Sequence, residues 1–164
     1  MSQTQLGPAV VNTIGELPKS GSSAPDALLT TTDMKDVHLN TYSGKSIVLN
    51  IFPSVDTGVC AASIREFNKR AASLHNTVVL CISKDLPFAQ KRFCGAEVID
   101  KVISLSDFRG DFGKKFGVEL IDGGFAGLLA RAVVVIDTTG KVKYTELVPQ
   151  IGQEPNYDAA IKAL

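Results

Sequence analysis

The sequence predicts an α/β fold, a three-layer sandwich around a mixed central sheet. Two near-continuous apolar runs, at 47–52 and 77–83, are typical of strands that are buried on both faces. The segment between them, 59–74, carries apolar residues at helical spacing with charged residues opposite. Two later apolar runs, 132–137 and 142–148, flank a Thr-Thr-Gly-Lys turn and predict a β-hairpin. Parallel pairing is therefore expected in the first half of the sheet and antiparallel pairing at the hairpin.

Length and composition limit both the fold and the function. The chain has 164 residues, of which 45% are hydrophobic, so we expect one domain that spans 1–164 and buries its own core. Lys plus Arg and Asp plus Glu both total 17, and the basic residues are scattered, which disfavours nucleic-acid binding. The first 16 residues lack a signal-peptide pattern, and no apolar run is long enough to span a membrane. These features predict a cytoplasmic protein that binds neither nucleic acid nor membrane.

The N-terminal residues differ in pattern from the rest of the chain. Short apolar runs alternate there with the breakers Gly7-Pro8, Leu17-Pro18, Gly21-Ser22-Ser23 and Ala24-Pro25. This pattern predicts a β-hairpin extension over 1–25 that packs on the main domain. Two short strands are expected next, at 28–32 and 37–39, followed by a turn at 42–45.

From residue 47 onwards, strand and helix patterns alternate. The predicted elements are strands at 47–52, 77–83, 102–105, 132–137 and 142–148, and helices at 59–74, 87–93, 111–116 and from 156 onwards. Pro87 suits the first turn of its helix, where the missing N–H costs nothing. The order of these elements is that of a thioredoxin-like sandwich, here with an N-terminal β-hairpin extension.

Three cysteines are present, at positions 60, 81 and 94. Their odd number and wide spacing exclude a disulfide framework, a CxxC redox pair and a zinc knuckle. Cys81 lies in the middle of a predicted buried strand, where a free cysteine is most often a packing residue. Cys94 is predicted to end a short helix, beside Gly95, which favours a mobile and partly exposed thiol.

The most informative segment lies where the first buried strand meets the first helix. Thr57 is a good N-cap residue, and Cys60 follows three positions later, in the first turn. The free N–H groups and the positive end of the helix dipole favour a thiolate at that position. Taken alone, the position leaves open that Cys60 is only a small apolar residue. With Pro53, however, it completes P-x-x-x-T-x-x-C: a shielding proline, a hydroxyl for a reactant oxygen and a thiol, which together predict a peroxide site.

The segment 53–63, PSVDTGVCAAS, resembles the active-site segment of the bacterial thiol peroxidases, a branch of the peroxiredoxins. The N-terminal extension, the helix that carries Cys94 and the segment 129–133 resemble the same branch. The resemblance therefore covers most of the chain.

The resemblance implies a role for each matching residue. Cys60 would be the peroxidatic nucleophile, which becomes a sulfenic acid. Thr57 would hydrogen-bond the peroxide and the thiolate, and Pro53 would shield the pocket from water. Arg131 would add positive charge beside the sulfur; from the residues alone, an arginine before a buried strand is more often a surface ion-pair partner. Cys94 would be the resolving cysteine, which gives an intramolecular Cys60–Cys94 disulfide.

The implied function is a thiol-dependent peroxidase that reduces hydrogen peroxide and organic hydroperoxides. It needs no metal and no other cofactor, and its reductant would be thioredoxin or a similar dithiol donor. The resemblance also implies a homodimer.

The glycine-rich segment 123–127 lacks the spacing of a phosphate-binding loop and is predicted to be a flexible surface loop near Arg131, at the rim of the substrate site.

Two alternatives stay open. One is a peroxide-responsive redox sensor that uses the same thiols without turnover. The other is a cysteine hydrolase or acyltransferase, for which His38 or His75 would have to lie beside Cys60. Both histidines fall where surface or capping roles are more common, at the early strands and at a helix end.

Overall fold

The computed structural model describes residues 1–164 as a seven-stranded mixed sheet between two helical layers, with a separate two-stranded hairpin. The strands are β1 (Gln3–Leu6), β2 (Ala9–Asn12), β3 (Leu28–Thr31), β4 (Asp36–His38), β5 (Ser46–Ile51), β6 (Thr77–Ser83), β7 (Ile103–Ser106), β8 (Ala132–Ile136) and β9 (Val142–Leu147). The helices are α1 (Gly58–Ala71), α2 (Pro87–Glu97), α3 (Phe112–Lys115) and α4 (Tyr157–Lys162), with a 3₁₀ turn at Leu39–Tyr42. No helix is long and apolar enough to cross a membrane.

The large sheet has the order β4-β3-β7-β6-β5-β8-β9. Strands β5, β6 and β7 are parallel to one another, whereas β8 runs antiparallel to β5 and to β9. The predicted mixed sheet is therefore confirmed. At the other edge, β3 joins antiparallel to β7, a pairing that the sequence pattern does not specify.

The two faces of the central strand β5 build two separate cores. Leu49 and Ile51 pack on one face with Phe112 of α3 and with Phe116, the C-cap of α3. Val48 and Phe52 face the opposite core, which contains Cys60, Ile64, Phe67 and Ala160 from α1 and α4. Because successive side chains of a strand point to opposite faces, a continuous apolar strand binds two helical layers. This arrangement is the predicted three-layer sandwich.

The predicted N-terminal hairpin is present as β1 and β2, which pair antiparallel from Gln3↔Asn12 to Leu6↔Ala9. Val11 packs against Leu120 and Ile151 in a small third core. The Thr4 hydroxyl donates a hydrogen bond to the Val148 carbonyl, at 2.8 Å. These contacts fix the hairpin beside the segment that follows β9.

Two helix boundaries differ from the prediction. Helix α1 ends at Ala71 and not at residue 74. Its C-cap is Ala72, and the Arg70 carbonyl accepts from the Ala72 N–H and from the Ser73 hydroxyl, the latter at 3.1 Å. Helix α2 runs four residues past the predicted end at 93, so Cys94 lies inside the helix and not at its end. Gly95 does not stop the helix, which ends at Glu97 with Val98 as its C-cap in a left-handed conformation.

A third difference concerns the segment after β4. The sequence predicts a turn at 42–45 directly after a strand that includes Leu39. In the structure Leu39 is buried and begins the 3₁₀ turn that ends at Tyr42. The apolar Leu39 therefore marks a buried turn position and not the last residue of a strand.

Candidate active site

Cys60 lies in the first turn of α1, directly after the loop that follows β5. Thr57 is the N-cap, with extended backbone angles (φ −104°, ψ 145°), and its side-chain oxygen accepts a hydrogen bond from the Cys60 N–H at 3.4 Å. The Thr57 hydroxyl donates to the Ser54 carbonyl, at 3.3 Å. The cap predicted from the sequence is thus present, and the unpaired N–H groups of the helix start surround Cys60. Their dipoles stabilise negative charge on its sulfur.

The side chain of Arg131 contacts the same sulfur. Its Nη2 donates to Cys60 Sγ at 3.2 Å, and its Nε donates to the Ile151 carbonyl at 2.7 Å. The sheet places Arg131 there: Ala132 of β8 pairs with Ile51 of β5, so the residue before β8 lies opposite the residue after β5. Arg131 is therefore a component of the site and not a surface ion-pair partner.

Both members of this contact are buried, with Cys60 0% and Arg131 1% exposed. The buried guanidinium thus donates a charge-assisted hydrogen bond directly to the sulfur. The remaining guanidinium nitrogen, Nη1, is buried without a hydrogen-bond partner. A buried donor without a partner is costly, so Nη1 is available for an acceptor atom of a ligand.

A pocket of about 160 Å³ opens beside this contact. Its lining comprises Leu6, Pro53, Thr57, Gly58, Val59, Phe125, Arg131, Ile151 and Gly152. The lining combines apolar side chains with the Thr57 hydroxyl and the Arg131 guanidinium, which is the composition of a site for a small, partly apolar ligand. Phe125 comes from the glycine-rich segment 123–127, which therefore lies at the rim of the pocket near Arg131, as the sequence predicts. Pro53 is buried in the wall.

Cys94 lies outside this pocket. It is half-buried on α2, and its Sγ lies 3.2 Å from the Ser104 hydroxyl on β7. Ser104 lies on β7, whereas Arg131 directly precedes β8. These two strands are three positions apart in the sheet, which corresponds to about 14 Å between them. The structure thus brings Pro53, Thr57, Cys60 and Arg131 together and leaves Cys94 at a different place. All three cysteines are free thiols.

The helix turn that carries Cys94 ends in an unusual backbone conformation. Val98 has φ 55° and ψ 49°, and its side chain is 76% exposed. A β-branched residue in the left-handed region costs about 1–3 kcal/mol. The Cys94 carbonyl accepts from the backbone N–H groups of both Val98 and Ile99. The last turn of α2 is therefore strained next to Cys94.

A sequence model of the Redoxin family matches residues 19–161 of the chain. A thiol peroxidase of Mycobacterium tuberculosis is 57% identical over 164 residues, which cover 100% of this chain and 99% of that protein. The chain belongs to the bacterial thiol peroxidases of the redoxin family.

Further relatives agree with this assignment. A thiol peroxidase of Corynebacterium glutamicum is 52% identical over 164 residues, with 100% of this chain and 99% of that protein covered. The crystal structure of a peroxiredoxin-like protein from Aquifex aeolicus superposes with a TM-score of 0.94 at 39% identity, covering 99% of this chain and 96% of that one. The predicted thioredoxin-like fold and the predicted enzyme class, a peroxiredoxin-type oxidoreductase that reduces peroxide with thiols, are confirmed.

The third cysteine of this thiol peroxidase is enclosed by the sheet. Cys81 is fully buried in β6, and the Asn50 amide lies 3.7 Å from its sulfur. Burial raises the pKa of the Cys81 thiol to about 12, and the contact with Asn50 offsets only part of this effect. Its position supports the predicted packing role.

Cys81 is therefore expected to resist alkylation in the native protein. At pH 8 the folded thiol stays neutral, because its pKa of about 12 lies well above that pH. An unfolded cysteine, with a pKa of about 8.5, is partly ionised and reacts. Iodoacetamide treatment at pH 8 with peptide mass mapping should label Cys94 in buffer and Cys81 only in urea. Labelling of Cys81 in buffer at the same rate as Cys94 would contradict this assignment.

Neither histidine of this thiol peroxidase lies at the pocket. His38 is exposed at the end of β4 and pairs with Asp26, with 3.2 Å between Nδ1 and the carboxylate. His75 is exposed beyond the end of α1, whereas Cys60 is at its start. A cysteine hydrolase needs a histidine beside the nucleophile, so the hydrolase alternative lacks its base here.

The sequence interpretation misses several residues of the site. The Ile151 carbonyl orients Arg131, yet a backbone acceptor leaves no side-chain signal. Leu6 reaches the pocket from the hairpin, a contact that depends on how the extension packs. Asp85 forms a network with the loop before α1, which becomes visible only when β5 and β6 are aligned.

Proposed function

We propose that this thiol peroxidase reduces hydrogen peroxide and organic hydroperoxides through Cys60, forms an intramolecular Cys60–Cys94 disulfide, and is reduced again by thioredoxin or a similar dithiol. The contact between Arg131 Nη2 and Cys60 Sγ carries the proposal. It joins a cationic donor and a helix N-terminus at one sulfur, beside a pocket that Thr57 and Arg131 line.

In the first step, the Cys60 thiolate attacks the terminal peroxide oxygen. An S–O bond forms as the O–O bond breaks, and the electron pair leaves with the distal oxygen, which takes a proton and departs as an alcohol or water. Cys60 is oxidised to a sulfenic acid. Nη1 of Arg131, which has no partner, and the Thr57 hydroxyl would hydrogen-bond the peroxide oxygens as charge develops on them.

The apolar lining supports organic hydroperoxides as substrates. Leu6, Val59, Phe125 and Ile151 surround the two polar groups of the pocket. An alkyl group that leaves water for this lining gains roughly 25 cal/mol for each Å² of buried apolar surface. Hydrogen peroxide fits the same pocket without that contribution, so both substrates belong to the proposal.

In the second step, the Cys94 thiolate attacks the Cys60 sulfur. An S–S bond forms and the sulfenic oxygen leaves as water, with a proton from solvent. The Cα atoms of a disulfide lie within about 7 Å of each other, so the helix ends that carry the two cysteines have to move together. Strain at Val98 supports movement of the α2 end, because unwinding that turn releases it.

In the third step, a dithiol reduces the disulfide, and both cysteines return to thiols while the dithiol becomes a disulfide.

The homodimer that the resemblance implies is supported by two exposed apolar side chains, Leu86 and Phe88, at the start of α2. Exposed apolar surface of this kind favours protein–protein contact.

The proposal is tested by following NADPH consumption with thioredoxin, thioredoxin reductase and a hydroperoxide. Wild type and the matched control Cys81→Ser should turn over, because Cys81 is a packing residue. Cys60→Ser should be inactive, and Cys94→Ser should stop after one equivalent of peroxide. Turnover by Cys60→Ser would overturn the assignment of the nucleophile. Oxidation of wild type by one equivalent without further turnover would favour the redox-sensor alternative.

A further inference from the structure

We infer that Asp85 is a positioning residue for peroxide reduction, which holds the loop between Pro53 and Thr57 in the shape that the pocket needs. Asp85 lies between β6 and α2. Neither of these two elements carries a residue that lines the pocket. The inference rests on the proposed function of Cys60. It concerns a residue outside the P-x-x-x-T-x-x-C segment.

The Asp85 carboxylate accepts three hydrogen bonds. The Ser54 hydroxyl donates to one oxygen at 2.7 Å, and the Val55 N–H donates to the other at 2.8 Å. The Ser83 hydroxyl donates to that second oxygen as well, at 2.6 Å. Two of the three donors thus belong to the loop that leads into α1. Hydrogen bonds to a charged acceptor are the stronger class, so this carboxylate fixes the loop firmly.

A chain of hydrogen bonds leads from Asp85 to Cys60. Ser54, bound to Asp85 through its hydroxyl, accepts at its carbonyl from the Thr57 hydroxyl, at 3.3 Å. The Thr57 oxygen in turn accepts from the Cys60 N–H, at 3.4 Å. Val55, whose N–H binds Asp85, is itself buried. The position of Asp85 therefore sets the position of Thr57, a residue that lines the pocket.

Asp85 is itself anchored by buried polar groups. The Ser83 oxygen accepts from the Asp85 N–H at 3.3 Å and from the Gln90 amide at 3.2 Å. The Gln90 amide also donates to the Leu105 carbonyl at 2.9 Å, and the Ser106 hydroxyl donates to the Asp85 carbonyl. Ser83, Gln90 and Ser106 are all buried. These bonds tie Asp85 to β6, β7 and the start of α2, so it is a rigid support.

A second polar link connects the same segments, but it is weaker. Arg92 of α2 and Asp56 lie 3.1 Å apart, with both side chains about two-thirds exposed (67% and 66%). Exposed ion pairs contribute little, because water and salt screen them. Asp85 is therefore the main link between the loop before Cys60 and the segment that leads to Cys94.

The link has opposite consequences for the two chemical steps. It supports the reaction with peroxide, because that step needs Thr57 and the pocket wall in place. It opposes disulfide formation, because the helix start that carries Cys60 has to move toward Cys94. Loss of the Asp85 carboxylate should slow the first step by about 10- to 100-fold, since a hydrogen bond to a charged group corresponds to a rate factor of that size. Formation of the disulfide from the sulfenic acid should stay as fast or become faster.

The test compares Asp85→Asn with Glu16→Gln, which removes an exposed carboxylate far along the chain. The rate constant for hydrogen peroxide is measured by competition with a haem peroxidase. The rate of disulfide formation is measured by quenching with a thiol-blocking reagent and mass spectrometry. Asp85→Asn should lower only the first rate, and Glu16→Gln should change neither. Ser54→Ala, which removes one of the three bonds and keeps the charge, should lower the first rate to a smaller extent.

The outcomes separate a positioning role from a structural one. An unchanged peroxide rate in Asp85→Asn, or equal loss of both rates together with a lowered melting temperature, would overturn the inference. Where Asp85→Asn does not fold, Ser54→Ala decides: a lowered peroxide rate supports the inference and an unchanged one refutes it. Wild-type peroxide consumption by Cys60→Ser would instead show that the proposed function itself is wrong.

Discussion

Replacement of Arg131 by methionine should lower the second-order rate constant for hydrogen peroxide by about 100- to 1000-fold. This is the loss typical of removing one preorganised donor from developing negative charge. Arg131 donates to Cys60 Sγ at 3.2 Å and keeps Nη1 free beside the pocket, so the substitution removes contacts to both the nucleophile and the substrate. The rate is measured by competition with a haem peroxidase for limiting peroxide.

Two control variants make the result specific. Arg131→Lys keeps the positive charge but lacks the planar fork of donors, so its rate should fall between those of wild type and Arg131→Met. Arg109→Met removes an exposed arginine that binds Asp36 at the surface and should leave the rate unchanged. A rate for Arg131→Met within twofold of wild type would show that the guanidinium has no part in the reaction.

Cys60→Ala is expected to lower the free energy of unfolding by about 3–5 kcal/mol, the usual cost of removing one partner of a buried charge pair. Arg131 is 1% exposed, and its hydrogen-bond partners are the Ile151 carbonyl and the Cys60 sulfur, so the sulfur is the only side-chain group that accepts from the guanidinium. Without it, a buried cation is left uncompensated.

The double variant Cys60→Ala, Arg131→Met should recover part of this loss, because it also removes the buried cation. Urea unfolding of the four proteins gives the coupling free energy, which we expect at about 1–3 kcal/mol. If the two substitutions add within about 0.5 kcal/mol, the sulfur and the guanidinium are not coupled. Arg131→Met alone should also lower the unfolding midpoint, but by less than Cys60→Ala, because a buried sulfur without its partner can be neutral whereas a guanidinium stays charged.

The part of the site that the sequence predicts is the part that local rules determine. The N-cap at Thr57 and the position of Cys60 follow from spacing along one helix start. Arg131 and Cys60 lie close together because two strongly apolar strands, β5 and β8, pair with each other. Capping rules are sufficient for the first; the second was implied by the family resemblance, because an arginine before a buried strand is by itself more often a surface ion-pair partner.

Features that depend on packing between distant elements were not predictable. Gly95 looks like a helix end, but the helix continues because tertiary contacts outweigh the weak propensity of one glycine. The network around Asp85 joins loops after β5 and β6, and its geometry appears only when those parallel strands are in register. The pairing of β3 with β7 likewise depends on long-range contacts that the local pattern of 28–32 does not contain.

The central claim is that Cys60 is the thiol that peroxide oxidises and Cys94 the thiol that resolves it. It is tested most directly in Cys94→Ser, where the sulfenic acid has no resolving partner. The protein is treated with one equivalent of hydroperoxide and dimedone, and its peptides are mapped by mass spectrometry. One dimedone adduct is expected, on Cys60. An adduct on Cys81, or full consumption of peroxide with Cys60 unmodified, would contradict it.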